Sequence, residues 1–101
     1  MSVLYIIMNC EYVGEAIGMF VFVYIALTSS DPIQIAVALF IGILIAATFK
    51  SNAYLNPGIA IGSYADGRVS GDVTAKYVGS ELIGVALALG ALYVQKNCES
   101  K

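Results

Sequence analysis

Between Asp31 and Lys50 the chain carries no charged residue, and Ile35 to Phe49 shows no polar face at helical spacing. A helix that packs in a soluble bundle keeps a polar stripe towards water, whereas one that is apolar all round belongs in lipid or deep in a core. Two further runs share this character: Val13 to Leu27, with an apolar stretch reaching back to Val3, and Tyr77 to Val94. Polar breaks separate them. Thr28-Ser29-Ser30-Asp31-Pro32 combines helix-stopping and helix-starting residues, Lys50-Ser51-Asn52 ends the second run, and Gln95-Lys96-Asn97 ends the third. Crossing a hydrocarbon core takes about 17–25 helical residues. Each run reaches that length with its flanks. The expected fold is an all-α, multi-pass integral membrane protein with three transmembrane helices, in one domain over residues 1–101.

Composition agrees and removes several functions. The chain is 59% hydrophobic and 12% charged, where soluble domains carry about 25% charged residues. A net charge of −2 leaves no basic patch for nucleic acid. There is no His, and Cys10 and Cys98 lie near opposite ends, so neither a metal-ligand cluster nor a Cys/His nucleophile can be assembled. No glycine loop suits a phosphate, and no spacing brings two carboxylates together. An enzyme is not expected, nor is a cofactor or a metal. Met1 to Cys10 starts apolar but has no Lys or Arg and no small-residue cleavage site, which argues against a removable leader.

The stretch between the second and third runs carries the functional signal. Asn56 suits an N-cap, its side-chain oxygen accepting from first-turn N–H groups, and Pro57 suits the first helical position, where its missing N–H loses nothing. Gly58 to Tyr64 then makes about two turns, enough to run from mid-membrane back to one surface. Gly58 and Gly62 share a face that permits close approach to a neighbour. Ala65 to Asp72 reads as a surface loop, with Ser70 or Asp72 as candidate cap of the third spanning helix. Taken alone, an Asn-Pro pair is better read as an exposed turn. Its place between two spanning segments points instead to a re-entrant half-helix, because a polar helix start within a membrane usually lines a polar path.

Small residues recur where helices must meet: Gly14 and Gly18 in the first run, Ala38, Gly42 and Ala46 in the second, and Ser80, Gly84 and Ala88 in the third. In lipid, close backbone approach supplies much of helix association. These stripes speak to packing only.

Together these residues resemble one half of a major intrinsic protein, the aquaporin and glycerol-facilitator family. Gly14-Glu15-Ala16-Ile17-Gly18-Met19-Phe20 is similar to the family's first-helix signature. Asn52-Ala53-Tyr54-Leu55-Asn56-Pro57-Gly58-Ile59-Ala60-Ile61-Gly62 resembles its Gly-Ala-His-Leu-Asn-Pro-Ala-Val-Thr-Leu-Gly run. Gly67-Arg68, then Tyr77, Glu81 and Gly84, resemble the loop and helix that follow, with Glu81 where Gln is usual. The likeness covers Glu11 to Tyr93. Departures are Gly58 for Ala, Tyr54 for His, and a shorter connection into Asn56. Family members pair two inverted repeats; here there is one Asn-Pro, and Ile59 stands where a second repeat carries an Arg. The chain looks like a first repeat alone.

The resemblance implies a half-channel for water or small neutral solutes such as glycerol. Its pore would be lined by Asn56, Pro57, Gly58, Ile59, Leu55 and Tyr54, with Phe40 or Ile41 of the second helix completing the wall. Two opposed helix N-termini repel cations and orient a passing water, and the Asn56 amide can donate to it while its oxygen caps the helix. Without Arg at Ile59 the opening would be wider and less selective. Glu15, by the same resemblance, supports the re-entrant loop through its backbone N–H groups; the alternative is an interfacial carboxylate reaching water. Glu81 sits near the expected start of the third helix, either facing the positive dipole end at the surface or buried.

Three cations (Lys50, Arg68, Lys76) lie on one side of a three-span topology and two (Lys96, Lys101) on the other. So weak a bias permits insertion both ways. The expected partners are the lipid bilayer and further copies of the chain, including an antiparallel homodimer that sets two Asn56 ends face to face. In one monomer Cys10 and Cys98 lie on opposite sides, too far apart to bridge, whereas in an antiparallel pair Cys10 of one copy shares a side with Cys98 of the other. A non-conducting structural membrane protein derived from such a repeat is the alternative function, and a half that needs an Arg-bearing partner is a third.

Overall fold

In the computed structural model, residues 9–52 and 54–99 are described. They form four helices: α1 (Cys10–Thr28), α2 (Pro32–Thr48), α3 (Pro57–Ala65) and α4 (Gly71–Glu99). The fold is all-α among these residues. Expectations for Met1 to Met8, including an extension of the first apolar run to Val3, lie outside them.

Both prolines of the chain open helices by one device. Asp31 accepts from the Ile33 N–H at 3.0 Å and Pro32 takes the first turn of α2; Asn56 accepts from the Gly58 N–H at 2.7 Å and Pro57 opens α3. An Asx side chain followed by a fixed proline φ needs no tertiary help to start a turn. The third apolar run starts at about Tyr77, and the helix that carries it begins earlier, at Gly71, next to the expected cap. Ser70 caps it, its hydroxyl accepting from Val73 N–H at 3.2 Å, and the Asp72–Lys76 ion pair at 2.7 Å bridges one turn. Capping and an i,i+4 pair favour helix where hydropathy is silent.

α1 and α4 are long and apolar enough to cross a membrane, and α2 is a shorter apolar helix of 17 residues. α1 is central, packing along both α2 and α4, while α3 lies against α4. The small-residue stripes make these seams. A Cβ on Gly18 would sit 2.5 Å from the Gly42 carbonyl oxygen, and one on Gly84 would sit 2.5 Å from that of Ala16. Ala38, Ala46, Ser80 and Ala88 are buried along the same lines. The Gly58/Gly62 face differs: among the described residues no other element lies within 4 Å of a Cβ at Gly62, so the close approach expected there is not made by them. α3 meets α4 through Ala60, which is fully buried.

Candidate functional site

Between α2 and α3, residues 49–52 and 54–56 form a non-helical strap, and buried side chains of α1 and α4 hold it. Glu15 on α1 is fully buried. Its Oε1 accepts the Leu55 N–H, and its Oε2 accepts the Ser51 hydroxyl at 2.6 Å. From α4, Glu81 Oε2 accepts the Asn56 N–H at 3.2 Å, and the Tyr77 hydroxyl accepts the Asn52 N–H at 3.1 Å. That hydroxyl in turn donates to Glu11 Oε2 at 3.2 Å. Two helices thus satisfy the N–H groups of Asn52, Leu55 and Asn56. Unpaired and buried, each such group would cost about 1–3 kcal/mol.

The strap also stores strain. Leu55 sits at φ +48°, in the left-handed region that L side chains avoid at a cost of about 1–2 kcal/mol. It is held there from both ends. Its N–H is fixed by Glu15, and its side chain is 2% exposed, wedged beside Met19 and Ala46 and against the Gly18–Gly42 crossing. The side chain of Leu55 is thus a core spacer between α1 and α2.

Tyr54 packs its ring on Tyr77 at 4.7 Å between centroids, and its hydroxyl accepts from Asn52 Nδ2 at 3.2 Å. Tyr12 meets Tyr77 edge-on at 5.3 Å. The half-buried Tyr54 thus belongs to an aromatic clasp under the strap. Asn56, Gly58 and Ile59 are exposed and Pro57 is half-buried, so the helix start itself stands at the surface of the single chain. Phe40 is 61% and Ile41 40% exposed on α2.

Of the two readings of Glu81, the buried one holds: it is fully buried and lies roughly three turns into α4, away from the helix start. Its carboxyl group lies beside that of Glu15, the two accepting the N–H groups of Asn56 and Leu55, consecutive in the strap. No spacing rule pairs residues that far apart in sequence, which is why this pair escaped sequence reading. Tyr77, Glu11 and Ser51 were also missed as tethers. A signal existed for some of them: Tyr77, Ser80, Glu81, Gly84 and Ala88 fall on one helical stripe, and Glu11 and Glu15 are one turn apart.

Chemically, the arrangement offers a positive helix end, an exposed side-chain amide and an apolar surround. The carboxyl groups of Glu15 and Glu81 are fully buried beneath the backbone. Among the described residues no group of three or more His, Cys, Asp or Glu stands together to hold a metal ion. Cys10 and Cys98 are exposed and unbridged. Comparison with protein families, with curated proteins and with solved structures finds no match for this chain.

Proposed function

We propose that the chain is an aquaporin-like half-channel, in which α1, α2 and α4 span the bilayer and α3 is a re-entrant half-helix presenting Asn56 at mid-depth. The observation that carries this reading is the strap. Buried carboxyl groups on two apolar helices hold a strained loop so that a capped, exposed helix start follows it. Buried carboxyl groups among apolar helices are costly, and their use to fix a polar helix start favours a path for polar solute.

At about 1.5 Å per residue, α2 is near the lower limit of a spanning helix and α4 exceeds it. The first turns of α4, with Asp72 and Lys76, then sit at the interface. One copy supplies half a wall. Ile33, Val37, Phe40 and Leu44 form an exposed apolar stripe on α2 that a second, antiparallel copy covers in this reading. Asn56 of each copy then donates its side-chain N–H to solute in single file, while Pro57, Gly58, Ile59 and the α2 side chains line the rest.

Stopped-flow swelling of vesicles reconstituted with the purified chain tests the pore. Faster swelling than protein-free vesicles, in water or glycerol gradients, supports it. Equal swelling leaves the non-conducting structural membrane protein. A C-terminal tag found on a single side of the membrane would exclude the antiparallel pair.

A further inference from the structure

The strap's hydrogen bonds leave one acceptor unexplained. Glu15 and Glu81 are each fully buried, and their carboxyl groups lie side by side under the strap, accepting the N–H groups of consecutive residues, Leu55 and Asn56. Both oxygens of Glu15 receive donors, from Leu55 and Ser51, and Glu81 Oε2 receives the Asn56 N–H. Glu81 Oε1 is buried with no partner. Two ionised carboxylates in contact within a dry interior repel each other, and neither can donate to the other.

The surroundings supply little positive charge. α2 contributes no ionisable side chain, and α3 contributes only the exposed Tyr64. Glu11 of α1 faces the Tyr77 hydroxyl, one turn before Glu81, and adds negative charge. On α4, Lys76 is ion-paired with Asp72. Lys50 is exposed at the start of the strap.

We propose that Glu15 and Glu81 form a proton-binding site: the pair holds one proton, which turns an orphaned acceptor into a donor and joins the two carboxyl groups beneath the strap. Glu81, whose Oε1 otherwise has no partner, is the acid and donates to Glu15, whose oxygens also accept from Leu55 and Ser51 of the strap. The proton is thus a structural element of this chain, and its loss leaves like charges facing each other under Leu55 and Asn56. The inference rests on the buried pair and stands apart from conduction.

Infrared spectroscopy at neutral pH, on protein in dodecyl maltoside (a detergent without carbonyl groups), reads it directly. The folded chain should show a protonated-carboxyl band that shifts in deuterium oxide and disappears on unfolding. Glu81→Gln should abolish the band and Glu11→Gln should retain it, with circular dichroism reporting the fold of each. Where Glu81→Gln fails to fold, Glu81→Met replaces it, and the loss of the wild-type band on unfolding reads the site without any variant. Absence of the band in the folded wild-type chain, or its persistence in a folded Glu81 variant, overturns the proposal. No flux is measured, so this test and the swelling test fail independently.

Discussion

The carboxylate of Glu15 accepts the backbone N–H of Leu55, a residue in the left-handed region whose side chain is buried against the helices that flank it. One hydrogen bond therefore joins the central helix to the strained point of the strap. Replacing Glu15 by Ala strands that N–H and removes an acceptor of the Ser51 hydroxyl. Unfolding in detergent, followed by circular dichroism, should show a loss of about 2–5 kcal/mol, while Glu15→Gln, which keeps an acceptor, should lose roughly half as much. Equal stability of Glu15→Ala and the parent would mean that the strap does not depend on this carboxylate.

The glycines separate into two kinds that sequence could not distinguish. Gly18→Ala puts a Cβ 2.5 Å from the Gly42 carbonyl oxygen, and backbone must move to relieve it, so a cost of about 1–3 kcal/mol is expected. Gly62→Ala meets nothing within 4 Å and replaces a poor helix former inside α3. It should leave the monomer unchanged or more stable by up to about 1 kcal/mol. If Gly62→Ala instead prevents copies from associating, the open face of α3 is the place where they meet.

That contrast marks what the residues disclose and what they conceal. The apolar runs, the Asx-Pro helix starts and the small-residue stripes are local signals with a fixed period, and they give four helices and the seams between them. The strap was legible only at its ends, where Lys50 to Asn52 stops one helix and Asn56-Pro57 starts the next. Its conformation is imposed from α1 and α4 by Glu15, Tyr77 and Glu81, whose partners lie 25 or more residues away. Hydropathy placed the third run at Tyr77 because the Ser70 cap and the Asp72–Lys76 pair are polar. Leu55 read as a wall residue because a positive φ in a leucine has no sequence signature.

Tyr77 ties the strap to α1 through a single hydroxyl, which accepts from Asn52 N–H and donates to Glu11. Tyr77→Phe removes both bonds and keeps the ring packed on Tyr12 and Tyr54. A loss of about 1–3 kcal/mol is expected, with helix content unchanged. The sharper readout is local: the Asn52 amide should exchange with deuterium faster while amides in the middle of α1 keep their protection. Uniform acceleration across α1 would show that Tyr77 acts on the whole bundle through its ring.

Asn56 allows capping and conduction to be separated, because its oxygen and its nitrogen have different tasks. The oxygen accepts from Gly58 N–H and holds the first turn of α3. Asp caps as well as Asn, so Asn56→Asp should stay within about 0.5 kcal/mol of the parent, whereas Asn56→Ala should lose about 0.5–2 kcal/mol. Asp nevertheless lacks the N–H donor and brings a negative charge to the proposed pore. In swelling vesicles, Asn56→Asp should therefore fall to the protein-free rate despite its intact fold. Parent-like swelling with Asn56→Asp, in vesicles whose parent swells faster than lipid alone, would place the conducting path away from the α3 start.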